Sequence, residues 1–163
     1  MTAISLRLAT LADLDAVNAV IEHAVMTWNL PERVKRLTLP SYRYQPHDLN
    51  HLQLMVAERA GAGIVGVAAW EPANARDLPA GKTGLLLHGL YVDPAQQRAG
   101  IGRRLLAEAV EAAREQGFDG LLVKARPEAE GFFLARGLTP LPVTDAERDY
   151  PHRFWTEVGA PIY

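Results

Sequence analysis

The spacing of apolar residues alternates along this chain between the two-residue period of a strand and the longer period of a helix. Ile4–Ala9 alternates apolar and polar residues, which predicts a strand with one buried face. Apolar residues between Leu14 and Trp28 fall on one side of a predicted amphipathic helix. The same patterns predict further strands at Leu52–Glu58, Ile64–Trp70, Leu85–Val92, Leu121–Ala125, Leu138–Val143 and Arg153–Val158, and helices at Glu32–Leu37, Gly102–Gln116 and Glu128–Arg136. This order predicts a protein of the α/β class, with layers of helices on a mixed sheet.

Glycine and proline mark the connections between these elements. The turn Ala60–Gly63 lies between the second and third predicted strands and predicts that they pair as an antiparallel hairpin. A longer connection, Pro72–Gly84, contains two prolines and two glycines and predicts a loop between the third and fourth strands. Gly117 directly follows a predicted helix and is typical of a helix C-terminus.

The length and composition of the chain indicate one globular domain. Its 163 residues fall within the roughly 100 to 200 residues of a typical domain, so a single domain over residues 1–163 is predicted. Hydrophobic residues make up 48% and charged residues 22%, which is typical of a chain that buries a core. A formal net charge of -2 provides no field to hold a polyanion, which argues against nucleic acid and anionic membranes as partners.

Several classes of site are excluded by residue types. The chain has no cysteine, which excludes a disulfide framework, a thiolate metal site and a cysteine nucleophile. His47 and His51 are four residues apart, but we expect no acidic third ligand beside them and therefore predict no metal. No apolar run approaches the roughly 18 residues of a membrane span, and the first residues lack a signal-peptide pattern. A cytoplasmic location is predicted.

The loop Gln97–Gly102 carries the pattern that points most directly to chemistry. It joins a predicted strand to a helix N-terminus, where unpaired N–H groups and the helix dipole bind phosphate. Gly100 and Gly102 let the backbone approach a ligand that any Cβ would block, although both could simply allow a tight turn. Two nucleotide-binding motifs fail, because Arg103 replaces the Walker A lysine and Leu105 replaces the third glycine of the dinucleotide fingerprint.

The same loop resembles the hallmark Q/R-x-x-G-x-G/A of the GNAT superfamily of acetyl-CoA-dependent N-acetyltransferases, with Gln97, Gly100 and Gly102 at the matching positions. The segments Leu90–Pro94 and Glu130–Leu138 are similar to the end of the family's fourth strand and to its fourth helix. The resemblance implies the GNAT fold. That fold has a mixed, mostly antiparallel sheet of six or seven strands, flanked by about four helices and splayed between strands 4 and 5.

The resemblance implies that the co-substrate acetyl-CoA binds with its pyrophosphate on the loop N–H groups and its pantetheine arm along the fourth strand. Gly89 is expected to mark a bulge or a close approach in that strand. Phe133 lies where many family members carry a tyrosine that protonates the leaving thiolate, so Tyr91, Tyr150, water or departure as thiolate remain as alternatives. The expected cofactor-binding residues are Leu90, Tyr91, Val92, Gln97, Arg98, Ala99, Gly100, Ile101, Gly102, Arg103 and Phe133.

Five further side chains are candidates for catalysis and acceptor binding. His88 lies two residues before the expected cofactor contacts, and an imidazole suits proton abstraction near neutral pH. Glu71 ends the third predicted strand and is the second candidate base. The alternatives are a histidine packed against the sheet and a solvated carboxylate at a strand end. Trp28, Tyr42 and Tyr44 fall where family members place acceptor-binding loops, and are expected either to contact the acceptor or to pack within the loop.

These features predict an enzyme that transfers an acetyl group from acetyl-CoA to a primary amine of a small molecule or peptide. Direct transfer in a ternary complex is expected, because the chain has no cysteine and no Ser/His/Asp order for an acyl-enzyme. The rival interpretation is a non-catalytic acyl-CoA-binding sensor module, and a third is a nucleotide-binding domain. A homodimer is left open.

Overall fold

The computed structural model describes residues 3–163, and over that range it contains one sheet and four α-helices. The helices are α1 (Leu14–Met26), α2 (Glu32–Tyr42), α3 (Ile101–Glu115) and α4 (Glu130–Ala135). The strands are β1 (Ile4–Leu8), β2 (Gln53–Arg59), β3 (Gly63–Pro72), β4 (Gly84–Val92), β5 (Gly120–Lys124), β6 (Thr139–Pro140) and β7 (Arg153–Glu157). Apart from α2 and β6, the predicted helices and strands are confirmed with small shifts at their ends.

The strands of the described residues form one mixed sheet in the order β1-β2-β3-β4-β5-β7-β6. Antiparallel pairs join β1 to β2, and β7 to both β5 and β6. Strands β4 and β5 are parallel, and their pairing runs from Gly84 opposite Gly120 to Leu87 opposite Val123. Strand β4 continues to Val92, but its pairing with β5 ends at Leu87. The predicted mixed sheet with a splay between strands 4 and 5 is therefore confirmed.

Helix α2 is longer than the sequence predicts. The predicted helix Glu32–Leu37 continues to Tyr42, with Pro40 inside its last turn. Proline removes one backbone N–H donor from a helix and usually ends it. Leu39, the residue before Pro40, is buried in the core. The free energy gained by burying Leu39 outweighs the free energy lost at Pro40. The predicted end of this helix at Leu37 is therefore wrong.

The described residues group into two compact units. Unit 1 comprises the described residues up to Ala69 together with Gly89–Leu105, and unit 2 comprises Trp70–His88 together with Leu106–Tyr163. The predicted single domain over the whole chain stays a prediction. In unit 1, buried side chains from α1, β2 and β3 form a core that includes Leu14, Val17, Ile21, Val25, Leu54, Val56 and Val67.

Two polar contacts fix the segment that follows α1 in unit 1. The buried Lys35 donates from Nζ to the carbonyl oxygen of Met26, the last residue of α1, at 2.7 Å. A cation is favourable there because the C-terminal end of a helix carries partial negative charge. The side chain of Asn18 exchanges two hydrogen bonds, each 2.9 Å long, with the backbone N–H and carbonyl of Tyr44. Both contacts hold the segment from Trp28 to Tyr44, which carries the candidate acceptor-binding aromatics.

Gly89 lets the side chain of Tyr44 lie against the backbone of β4. A Cβ built on Gly89 would lie 2.5 Å from the hydroxyl oxygen of Tyr44 and 2.8 Å from the ring of Tyr91. Both distances are shorter than ordinary van der Waals contact. The close approach that the sequence predicts at Gly89 is therefore confirmed. The group that approaches the backbone is the side chain of Tyr44.

In unit 2 the buried side chain of Arg153 holds three loop carbonyls. Its guanidinium donates to the carbonyl oxygens of Asp77 at 2.9 Å, Pro142 at 3.0 Å and Tyr150 at 3.1 Å. Lys124 Nζ also lies 3.1 Å from a carboxylate oxygen of Asp77. The predicted loop between β3 and β4 is therefore anchored at Asp77.

The contact between Arg153 and Pro142 also explains a wrong prediction. The predicted strand Leu138–Val143 shrinks to the short strand β6. Pro140 and Pro142 supply no N–H group to a ladder, which confines proline to strand ends and edges. Because the carbonyl of Pro142 accepts a hydrogen bond from the guanidinium, the chain leaves the sheet at this point.

The carboxylate of Asp149 organises the loop before β7. It accepts hydrogen bonds from the backbone N–H groups of Asp145 at 3.1 Å and Thr144 at 3.0 Å, and from the hydroxyl of Thr144 at 3.0 Å. These donors, the N–H of Asp145 before the others, hold the pKa of Asp149 well below its ordinary value, because they stabilise the charged form. The loop therefore depends on an ionised Asp149.

Asp149→Asn should lower the Tm at neutral pH, because an amide cannot accept all the hydrogen bonds that the carboxylate accepts. The folded pKa lies below the ordinary value of about 3.9, so the carboxylate stabilises the protein above that pH and this stabilisation is lost as the pH falls below it. Thermal unfolding at a series of pH values should show the gap between the wild type and the variant narrowing below about pH 4. Asp15→Asn, at an exposed position of α1, is the control and should change the Tm little at any pH. A gap for the Asp149 variant that is the same at all pH values would contradict this role.

Gly89→Ala should destabilise the fold by about 1–3 kcal/mol, because the added methyl overpacks the space taken by the hydroxyl of Tyr44. Combining it with Tyr44→Phe should recover part of the loss in a thermal melt. Gly131→Ala is a matched control, since a Cβ at Gly131 meets no atom within 4 Å and alanine is the better helix former in α4. If Gly89→Ala melts at the wild-type temperature, the contact with Tyr44 does not require glycine.

Candidate functional site

The turn after β4 fixes where the Gln97–Gly102 loop begins. The backbone N–H of Asp93 donates to the carbonyl of Val65 in β3 at 2.8 Å, and its carboxylate accepts from the N–H of Ala95 at 3.0 Å. The other carboxylate oxygen of Asp93 lies 3.2 Å from Nδ1 of His23. Asp93 therefore ties the end of β4 to β3 and to α1.

Two residues of this loop have left-handed backbone conformations. Arg98 has φ of 70° and Gly100 has φ of 75°, and the whole segment Gln97–Gly100 is exposed. Alternating conformations of this kind turn successive N–H groups toward one point and form an anion-binding concavity. A Cβ at Gly100 would meet no atom within 4 Å, so the glycine is required by its φ rather than by crowding within the protein.

The loop leads directly into the N-terminus of α3. The first helical hydrogen bond runs from the N–H of Arg104 to the carbonyl of Gly100 at 3.1 Å. Because the first N–H groups of a helix have no intrahelical acceptor, the start of α3 presents donors and a partial positive charge. A phosphate is the ligand that this arrangement suits best.

Close packing on β3 holds the start of α3 in place. A Cβ built on Gly66 would lie 2.9 Å from the side chain of Ile101 and 3.1 Å from that of Leu105. Both apolar side chains are almost completely buried. The absence of a side chain at Gly66 therefore lets the first turn of α3 sit close to the sheet.

An arginine from β2 supports the residue before the loop, and the sequence pattern does not predict this contact. Arg59, the last residue of β2, donates from Nη1 to Oε1 of Gln96, which immediately precedes the loop. The Nε of Arg59 is buried and has no hydrogen-bond partner among the described residues. Arg104 donates to the carbonyl of Ile4 in β1 at 2.9 Å. The local sequence gives no signal for the contact between Arg59 and Gln96, because the two residues are far apart in the chain.

The structure brings two of the three candidate acceptor-binding residues into direct contact. The rings of Trp28 and Tyr42 meet edge to face, with centroids 5.2 Å apart, and both side chains are half-buried. Tyr44 is only 3% exposed and its hydroxyl lies against Gly89. Trp28 and Tyr42 are therefore accessible to a ligand, whereas Tyr44 has the environment of a core residue.

The candidate catalytic residues occupy neighbouring strands of the sheet. His88 is an exposed residue of β4, and Glu71 is a half-buried residue of β3. Phe133 on α4 is 5% exposed, and its ring packs against Phe132 and Phe154 with centroids 5.2 and 6.0 Å apart. Phe133 thus has a packing role in unit 2.

The prediction that no acidic group accompanies His47 and His51 is wrong. Asp48 lies between them, with an oxygen 3.5 Å from Nε2 of His47 and 3.8 Å from Nε2 of His51. That carboxylate also accepts a hydrogen bond from the N–H of Gln45 at 2.7 Å. Among residues 3–163, these side chains and all other His, Asp and Glu form no group of three that could hold a metal ion.

Within residues 3–163, none of the helices reaches the length and hydrophobicity that a membrane span requires.

Comparison with known proteins identifies related sequences. The model of the acetyltransferase (GNAT) family matches residues 20–138. A curated relative, the L-methionine sulfoximine/L-methionine sulfone acetyltransferase of Salmonella typhimurium, is 29% identical over 117 residues. That match covers 69% of this chain and 65% of the relative's own length.

Solved structures share the fold at low sequence identity. A GNAT-family acetyltransferase from Desulfovibrio desulfuricans has a TM-score of 0.66 at 22% identity, with 96% of this chain and 99% of that one covered. The PaiA N-acetyltransferase of Thermoplasma acidophilum, solved with coenzyme A, has a TM-score of 0.71 at 17% identity and coverages of 95% and 99%. A Brucella melitensis acetyltransferase in complex with acetyl-CoA has a TM-score of 0.62 at 20% identity and coverages of 99% and 92%. Since the family model spans most of the sequence and the fold agrees, this chain belongs to the acetyltransferase (GNAT) family.

Proposed function

We propose that this protein transfers an acetyl group from acetyl-CoA directly to a primary amine of a small molecule or peptide. The observation that carries the proposal is the exposed loop before α3, with its left-handed residues Arg98 and Gly100 and the donors at the helix start. Family membership supports acetyl transfer, and two structural neighbours were solved with coenzyme A or acetyl-CoA. A small-molecule acceptor is supported by the curated relative, which is named as an acetyltransferase of L-methionine sulfoximine and L-methionine sulfone.

The residues present fit the acetyl-CoA that the family implies. In the proposed complex, the backbone N–H groups of Arg98–Arg103 donate hydrogen bonds to the pyrophosphate. The exposed side chains of Arg98 and Arg103 add positive charge at the rim of the site. The backbone of Leu90–Val92 offers hydrogen-bonding groups to the pantetheine amides, in the manner of an added strand. Gln97, Ala99, Ile101 and Gly102 complete the proposed loop site, and Ile101 anchors it because its own side chain is buried.

Acetyl transfer to an amine requires that the nitrogen lose a proton. A protonated amine has no lone pair for attack, so a base must accept a proton before or during formation of the C–N bond. His88 is the proposed base because it is exposed on β4, next to the proposed pantetheine contacts, and Glu71 on the neighbouring strand is the second candidate. With no cysteine in the chain, the proposed reaction passes directly from thioester to amine.

Trp28 and Tyr42 are the proposed acceptor contacts, because their edge-to-face pair leaves part of each ring accessible. Tyr44 belongs to the proposed acceptor site as the residue that joins the aromatic segment to β4, through its contact with Gly89. An aromatic surface of this kind binds apolar or cationic parts of a ligand. Acceptors to be tested first are therefore amines and amino acids with apolar side chains. L-methionine sulfoximine and L-methionine sulfone are tested beside them, because the curated relative is named for acetylating these two compounds.

One observation favours a second candidate function, an acyl-CoA-binding sensor without turnover. The buried Phe133 has no proton to give and packs among aromatic side chains of unit 2. The two functions differ in a single measurement, the release of coenzyme A in the presence of an acceptor. The cytoplasmic location and the homodimer stay predictions.

Acetyl-CoA at 100 times its dissociation constant should stabilise the protein by about 2.7 kcal/mol, which for a chain of this length raises the Tm by roughly 5–10 °C. Thermal melts with acetyl-CoA, with ATP and without ligand measure this effect. Thiol release with a panel of amines then tests turnover. A Tm shift without thiol release across the panel would favour the sensor, and a shift with ATP alone would refute acetyl-CoA binding.

Gly100→Val should reduce the affinity for acetyl-CoA at least tenfold, because a β-branched residue cannot easily adopt φ of 75° and the N–H groups of the loop would turn away from the phosphate. Gly117→Val is the matched control. Gly117 has φ of 81° and equally open surroundings, but it lies at the other end of α3. Isothermal titration should show a weakened Kd for the Gly100 variant alone, whereas equal affinities in the two variants would remove the loop from the site.

A further inference from the structure

The loop before α3 contains a residue whose backbone conformation is unfavourable by itself. Arg98 has φ of 70°, a left-handed conformation that costs free energy for a residue with a Cβ. Residues Gln97–Gly100 are all exposed, so burial does not hold them in place. A conformation of this kind persists only where the surrounding structure determines it. The two ends of the loop must therefore be held by other parts of unit 1.

The end of the loop that leads into α3 is held by packing. Ile101 is almost completely buried, and its side chain lies against Gly66 in β3. The hydrogen bond from the N–H of Arg104 to the carbonyl of Gly100 extends this anchor by one residue. This end of the loop is therefore fixed by the position of α3 on the sheet.

The end of the loop that follows β4 is held by Arg59, the last residue of β2. Its Nη1 donates to Oε1 of Gln96, the residue before the loop. The backbone of Arg59 is fixed on both sides, because it pairs with Ile4 in β1 and its carbonyl accepts from the N–H of Ala62 at 3.0 Å. Gln96 also donates from its N–H to the carbonyl of Asp93 at 2.8 Å. The side-chain contact thus ties the start of the loop to the end of a paired strand.

The burial of Arg59 indicates a role other than stability. Its Nε is buried and has no hydrogen-bond partner among residues 3–163. A buried donor without a partner costs free energy, so stability alone does not favour an arginine at this position. Proteins accept such costs mainly at functional sites. The nearest functional element on the page is the loop that follows Gln96.

We infer that Arg59 is a positioning residue for coenzyme A binding, because it acts through Gln96 to hold the loop in the conformation that receives the pyrophosphate; this inference rests on the proposed function. The apparent Kd of a ligand equals its intrinsic Kd divided by the fraction of molecules in the binding conformation. Loss of the contact lowers that fraction and weakens binding, although neither side chain belongs to the proposed phosphate donors.

Binding of acetyl-CoA to single and double variants tests the inference. Arg59→Met and Gln96→Met each remove the hydrogen bond and keep a long side chain. Isothermal titration should show a Kd about fivefold higher in each variant, which is the effect of one hydrogen bond. The double variant should bind no more weakly than the weaker single variant, because both substitutions remove the same contact. A purely structural role would lower the Tm and leave the Kd of the folded protein unchanged.

Limited proteolysis of the unliganded protein gives a second measurement. Trypsin cleaves after arginine, and Arg98 is exposed in the loop. Because cleavage follows local opening of the chain, mass spectrometry should show cleavage after Arg98 that is about fivefold faster in both single variants. Arg36→Met is the matched control, since Arg36 is an exposed arginine of α2 that lies 3.7 Å from Glu32. This variant should keep the wild-type Kd and the wild-type rate of cleavage.

Both effects are required in Gln96→Met, and the absence of either overturns the inference even where Arg59→Met does not fold. Weaker binding in Arg59→Met beside a wild-type Kd in Gln96→Met also overturns it, because the arginine would then act by its charge and not through Gln96. A wild-type protein that does not bind acetyl-CoA refutes the proposed function together with the inference. Wild-type binding that is unaltered in all the variants refutes the inference alone.

Discussion

The first backbone N–H groups of α3 have no acceptor within the helix, and the fold of unit 1 presents these donors to solvent. Gly66 allows Ile101 to pack closely on β3, which fixes the position of the helix start. Arg98 and Gly100 then turn the preceding chain through left-handed conformations. Because Arg59 holds Gln96 from the end of β2, the loop has a defined shape before a ligand arrives. An anion therefore meets donors that are already oriented, which reduces the entropy lost on binding.

Local patterns in the sequence predict the order of the elements, and the motif Gln97–Gly102 coincides with the turn before α3 in the structure. Hydrophobic periodicity reports which face of a strand or helix is buried, and the loop motif lies within a few consecutive residues. Gly89 was also informative, since a glycine inside a strand has few explanations besides a bulge or close packing. Tertiary contacts decided the rest. Helix α2 continues past Pro40, where Leu39 is buried, and the predicted strand Leu138–Val143 is shortened where Arg153 binds the carbonyl of Pro142.

Candidate catalytic side chains have weaker signals in the sequence than the loop motif has, for the same reason. Phe133 lies at a position where a tyrosine was expected from the resemblance, but its ring belongs to an aromatic cluster with Phe154. The contact between Glu130 on α4 and His152 before β7 is formed only when the chain folds. Such a pair has no fixed spacing in a sequence. A single chain without aligned relatives therefore reveals a loop motif more readily than it reveals pairs of side chains that meet only in the folded protein.

The contact between Tyr44 and Gly89 links two parts of unit 1 that serve different ligands in the proposed reaction. One is the aromatic loop with Trp28 and Tyr42, and the other is the strand that would carry the pantetheine arm. A change at Tyr44 alters the surroundings of that strand, whereas Trp28 and Tyr42 can vary without touching Gly89. A new acceptor preference is therefore expected to arise through substitutions at Trp28 and Tyr42, whether in evolution or by engineering. Tyr44 is expected to be retained, because it packs against Gly89.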